Sequence, residues 1–170
     1  MGLNSERSQE NPTPGHLDRL ATEIACLSFI GRMPVGPGSW GSLAALVFAP
    51  WTILMQPFPI RAALLVILFF AGAYVCTKAE TVLGRKDPQS VVIDEVLGQW
   101  TCLAALPSIT VWELVAGFVL FRFFDIVKPY PIKRSEFWLP KGYGIMLDDL
   151  FAGIYAALGL LALHFLAFAS

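Results

Sequence analysis

Five carboxylates and two cations stand where apolar stretches begin or end. Asp94 and Glu95 interrupt VVIDEVLGQW, Arg122, Asp125 and Lys128 punctuate FRFFDIVKPYPI, and Asp148 and Asp149 sit in GIMLDDLFAG. Each has a bland account. Acids near a helix N-terminus gain about 0.3–1 kcal/mol from the dipole, and Arg122 with Asp125 is an i, i+3 pair on one helix face. If the three segments converge, however, five acids with two cations repel one another unless a metal ion lies among them. Oxygen donors without a paired His or Cys select a hard ion such as Mg²⁺. Arg122 as a planar fork and Lys128 as a point charge suit a phosphate. A fourth cluster, PGSWGS, places Ser39 and Ser42 with glycines at a helix start. Exposed backbone N–H groups there form an anion cradle or, equally, a turn and cap. It has neither the lysine of a P-loop nor G-x-G-x-x-G spacing. The sum is phosphoryl chemistry at an apolar surface. No nucleophile motif accompanies it, so metal-activated water with a free carboxylate as base is the simplest attack; a phosphoaspartate intermediate is the alternative.

The elements that must carry these residues are apolar. Of 170 residues, 56% are hydrophobic and 15% charged, against a usual charged share of about 25%. Apolar runs fall at 41–56, 62–77, 96–106, 111–124 and 150–169, and the last alone approaches the roughly 20 residues of a straight spanning helix. The middle pair, parted by Pro107-Ser108-Ile109-Thr110, reads as a helical hairpin or one broken helix. Residues 17–33 carry apolar positions at helical spacing, an amphipathic helix lying on the membrane or against the bundle. Strand-like alternation and repeats are missing. The expectation is an all-α polytopic membrane bundle of four to five short apolar helices with an N-terminal amphipathic helix: one domain over 17–170 after a flexible polar tail, 1–16.

If every run crosses or dips into the membrane, the N-terminal segment and the loops near 78–95 and 125–149 share one side. Of the 12 Lys and Arg residues only Arg61 falls on the other, and of the acids only Glu113. The positive-inside rule makes the charged side cytoplasmic. A net charge of −1 gives no global field for nucleic acid. Cys26, Cys76 and Cys102 are isolated and read as buried hydrophobes. His16 and His164 have no ligand neighbours at helical spacing. The start shows no cleavable signal sequence, and Met1-Gly2 alone is no myristoylation signal.

Four segments in register, PGSWGSLAA, VVIDEVLGQW, FRFFDIVKPYPI and GYGIMLDDLFAG, resemble the phosphatidylglycerophosphatase A family from about Ala25 onward. The resemblance implies an integral, Mg²⁺-dependent bacterial inner-membrane phosphomonoesterase that converts phosphatidylglycerophosphate to phosphatidylglycerol at the cytoplasmic leaflet. By position it makes Asp94, Glu95, Asp125, Asp148 and Asp149 the catalytic and metal-binding acids, with Arg122 and Lys128 on the phosphate. Two other readings compete with this one. A CDP-alcohol phosphotransferase requires a D-G-x-x-A-R run that this chain lacks. A small ion-transporter subunit requires polar residues through the depth of the helices, where this chain is apolar. The residues specify no oligomeric state.

Overall fold

A computed structural model describes residues 14–168, and among these every element is helical. Most of the expected tail, residues 1–13, lies outside the described residues; His16 already begins α1 (His16–Ala25). That helix is shorter than the amphipathic stretch in the sequence. Leu27 and Ser28 enter the left-handed region (φ 46° and 58°), and a 3₁₀ turn follows at Ile30–Arg32. The reversal brings the chain back against the segment that ends at Val92, whose N–H donates to the Ala25 carbonyl at 2.9 Å. α1 packs on the long helix over Phe58–Leu83, with Lys78 on Asp18 at 2.8 Å.

The first apolar run is helical only in part. Pro37 opens α2 (Pro37–Phe48), and a 3₁₀ turn, Ala49–Trp51, closes it around Pro50, which has no N–H to continue a helix. The second run is extended at both ends into α3 (Phe58–Leu83), closed by Gly84 in the left-handed region. Arg61 permits this early start. It is buried, and its guanidinium donates to the carbonyls of Gln56 (2.7 Å), Leu54 (2.9 Å), Leu106 (2.6 Å) and Ala104 (3.4 Å). The charge thereby caps the C-terminal end of α4 (Ile93–Ala104). The broken-helix alternative is resolved as a hairpin: α5 (Val111–Val127) starts with Thr110 and Glu113 capping each other's backbone N–H groups and packs back on α4. A single turn, α6 (Ile132–Ser135), leads into α7 (Gly142–Phe168).

α7 is the axis of the molecule, in contact with α3, α4, α5 and α6. Among the described residues two helices, α3 and α7, are long and apolar enough to cross a membrane, fewer than the four to five apolar helices expected. Twelve residues in α2 or α4 extend about 18 Å, well short of a bilayer core of about 30 Å. Only 28% of the most apolar stretch of each is buried within the protein. The remainder presents Val66, Ile67, Phe70, Leu158 and Phe165 outward, a surface that suits lipid better than water. Beneath it lie two cores: one built on Ala73, Leu97, Ile145 and Met146, the other on Ile53, Leu103, Phe121 and Leu160.

Candidate active site

The segments that carry the charges meet at one end of the bundle. α4 contributes Asp94 and Glu95 from its first turn, α5 contributes Arg122, Asp125 and its C-cap Lys128, and α7 contributes Asp148 and Asp149. The α4–α7 crossing sets their separation. A Cβ on Gly153 would lie 2.4 Å from the Gly98 carbonyl oxygen, and one on Gly98 would lie 2.8 Å from that of Asp149. The two backbones touch at that point, as only glycine allows. At the mouth of α2, a Cβ on Gly38 would fall 1.9 Å from Glu95 Oε1, so the Glu95 carboxylate rests on the first turn of that helix.

All five acids, with Arg122 and Lys128, line one cleft of about 300 Å³. Within it they divide into two groups. Asp94, Glu95 and Asp149 each present an oxygen within 4.8 Å of the other two, and Asp94 Oδ1, Glu95 Oε2 and Asp149 Oδ2 are buried without a hydrogen-bond partner. At an effective dielectric constant of about 20, two such charges repel by about 3 kcal/mol. A helix dipole offsets at most about 1 kcal/mol of that, so the trio fits a cation. Asp125 and Asp148 are instead committed to cations. Arg122 Nη1 lies 2.7 Å from Asp125 Oδ2 and 3.6 Å from Glu95 Oε1. Lys128 pairs closely with Asp148, whose Oδ1 also accepts the Asp149 N–H at 3.1 Å.

Burial, with the charge of Asp149 next in weight, pushes the Glu95 carboxyl from its ordinary 4.5 up to about 8. Burial and the charge of Glu95 hold Asp94 well above its ordinary value. For Lys128, burial favours the neutral amine, but the Asp148, Asp149 and Asp125 carboxylates outweigh it and raise the pKa. Its backbone is left-handed at φ 44°, an uncommon conformation for a residue with a side chain.

The serines fall differently. Ser42 is buried, donates to the Gly38 carbonyl at 2.9 Å and accepts from Arg122 Nη1 at 3.3 Å, so it reaches the cleft through the arginine. Ser39 lies in the same first turn but outside the cleft lining. Asp87 and Gln89 line the cleft unanticipated. The loop KDPQS carries a turn signal in Asp-Pro and nothing that separates it from a solvated connection. Gln99, one turn beyond Glu95, is fully buried with neither amide atom bonded; as a neutral residue in an apolar run it gave little sign of itself. The thiol of Cys26 is pushed up by burial, in keeping with a packing role.

No solved structure matches the chain. Related sequences do. Over 135 residues, 79% of this chain and 83% of the relative, it is 38% identical to the phosphatidylglycerophosphatase A of Haemophilus influenzae. The Escherichia coli K12 protein of the same name is 38% identical over 129 residues, covering 75% of this chain and 73% of the relative. A Bacteroides thetaiotaomicron protein, provisionally named a phosphatidylinositol-3-phosphatase, is 39% identical over 132 residues, 74% of this chain and 82% of its own. Residues 23–164 match the family described as Phosphatidylglycerophosphatase A, a stretch that contains every charged residue of the cleft. The chain belongs to the phosphatidylglycerophosphatase A family.

Proposed function

We infer that this chain hydrolyses the terminal phosphomonoester of phosphatidylglycerophosphate, releasing phosphatidylglycerol and inorganic phosphate. The observation that carries the reading is the trio of unpartnered carboxylate oxygens on Asp94, Glu95 and Asp149 beside Arg122 and Lys128, in a chain of this family. Asp94, Glu95 and Asp149 fit Mg²⁺ and would hold it, since their donors are hard oxygens that nothing else satisfies. When bound, the ion supplies charge neutralisation at the phosphoryl oxygens and lowers the pKa of a bound water.

The chain's own residues do the rest. Asp125, Ser42 and Glu95 hold Arg122 in place, so its guanidinium needs no reordering when phosphate enters. Lys128, kept protonated by Asp148, adds a second positive charge against the developing negative charge of the transition state. A cleft carboxylate accepts the proton of the attacking water as its oxygen bonds to phosphorus. The bond from phosphorus to the lipid glycerol oxygen breaks, and that oxygen takes up the proton the carboxylate has accepted, so the lipid leaves as the alcohol. The active site faces the cytoplasm in this reading, because the cation-rich loops lie at its end of the bundle. The glycerol headgroup enters at the interface while the acyl chains stay in lipid.

The test is phosphate release by purified protein from phosphatidylglycerophosphate, phosphatidic acid and phosphatidylinositol-3-phosphate, with Mg²⁺ and with EDTA. Turnover of phosphatidylglycerophosphate that EDTA stops is the expected result. Failure to release phosphate from that lipid, or equal rates on all three, overturns the assignment.

A further inference from the structure

A second cavity, of about 430 Å³, shares Gly36, Pro37 and Gln89 with the carboxylate cleft but is built from opposite charge. Arg32 and Arg85 line it, with Ser90 and Gln89, and none of its lining residues is acidic. Arg32 ends the 3₁₀ turn after α1, and Arg85 follows the glycine that closes α3. From the same 3₁₀ turn, Ile30 joins Leu27, Ala44, Phe48, Ile93 and Trp100 in a groove of about 510 Å³ whose lining is almost wholly apolar. Carboxylate cleft and cationic cavity therefore adjoin at the mouth of α2, and the apolar groove lies along the C-terminal half of that helix, past the 3₁₀ turn.

We propose that the cationic cavity binds the phosphodiester phosphate of the substrate headgroup and thereby selects a lipid with two phosphates over one with a single phosphomonoester. This rests on the phosphatase reading above and extends it to substrate selection. With the terminal phosphate in the cleft, the diester anion lies within one glycerol of six carboxylates, Asp87 included. It is repelled there unless counter-charges of its own receive it. Arg122 and Lys128 are already engaged inside the cleft, whereas Arg32 and Arg85 stand in the adjoining wall. Arg32 pairs with Glu23 on an exposed face, and a guanidinium carries five N–H donors, so that pair leaves donors for a phosphate. Among the described residues Arg85 has no carboxylate partner. Gln89, in the wall common to both cavities, stands at the level of the glycerol that links the two phosphates. The apolar groove beyond accounts for an acyl chain leaving in the same direction.

The test compares dioleoyl phosphatidylglycerophosphate with dioleoyl phosphatidic acid in mixed micelles with saturating Mg²⁺, for the wild type and Arg32→Ala, Arg85→Ala and the double variant. Phosphatidic acid is followed as a competitive inhibitor if its turnover is too slow for a KM. Expected is a rise in KM for phosphatidylglycerophosphate of about tenfold per arginine, the weight of one charge-assisted hydrogen bond. kcat and the affinity for phosphatidic acid stay unchanged, and Arg32→Lys with Arg85→Lys recovers part of the loss. An unchanged KM for phosphatidylglycerophosphate, or an equal loss of affinity for both lipids, overturns the subsite while leaving the phosphatase reading intact. A wild type inert toward both lipids removes the phosphatase reading and the subsite with it.

Discussion

Asp149 and Asp148 are neighbours with different work. Asp149 has a buried oxygen that nothing satisfies, whereas Asp148 is spent on Lys128 and on its neighbour's N–H. Asp149→Asn should lower phosphate release by about 10³-fold, the scale of removing a group that manages charge or protons in a transition state. Helix content by circular dichroism should be unchanged, and wild-type turnover would remove Asp149 from the mechanism. Lys128 permits a sharper separation of roles. Both Lys128→Gly and Lys128→Ala leave Asp148 unpaired, so both should be inactive and less stable than the wild type. Between the two, glycine should be more stable by about 1 kcal/mol in chemical denaturation, since only alanine keeps a Cβ at φ 44°. The acids were legible in the sequence because charge in an apolar run is conspicuous. Their division into unpartnered and paired groups was not, since it depends on which helix ends meet. Asp87 and Gln89 escaped notice because an exposed loop residue looks the same whether it faces a substrate or water.

At the scale of elements, the charges matter only as far as α4 and α7 hold them together. Gly153→Ala should separate these helices by pressing a methyl group into the Gly98 carbonyl. Overpacking of this kind destabilises by about 1–3 kcal/mol, and kcat should fall with it, although residue 153 lies outside the cleft lining. A variant with wild-type kcat would show that the crossing does not set the acid spacing. Arg61 is the counterpart at the opposite end. Arg61→Met should destabilise the protein by about 2 kcal/mol or more through its lost bonds to backbone carbonyls, with KM unchanged. In the sequence Arg61 was merely the one cation on the wrong side. Its role as a cap for α4 depends on two carbonyl-bearing segments, 54–56 and 104–106, converging on it, which no local pattern encodes. The same blindness shortened α3 on paper: hydropathy ended its run at 77, whereas the helix continues through Lys78 and Glu80 to a glycine cap.

Over the whole molecule, all-α architecture and the sorting of charge were readable from composition and order, because a chain this apolar has few ways to satisfy its backbone. The number of helices able to cross a membrane was not, since Pro50 ends α2 within an apolar run and α3 extends past both ends of the run that hydropathy marks. The charged end also has a pH signature. Without metal, Glu95 titrates near 8 in the folded protein against 4.5 ordinarily. The folded state therefore keeps protons that the unfolded chain has released, and stability falls as pH rises through that window. Melting of EDTA-treated protein in detergent should show this decline, and Mg²⁺ should flatten it. A melting temperature that rises over the same range would contradict the burial of these acids. The two ends of the bundle contrast in one further respect. Thr110, Glu113 and His164 at the far end are mutually bonded and Arg61 is fully engaged, while the buried unpartnered atoms of Asp94, Glu95, Gln99, Arg122 and Asp149 gather at or next to the cleft. Thermal endurance and turnover thus make opposite demands on the same few atoms. A library selected for heat resistance alone in metal-free buffer should enrich neutral replacements at Asp94, Glu95 and Asp149, tracing the outline of the catalytic end without any substrate being supplied.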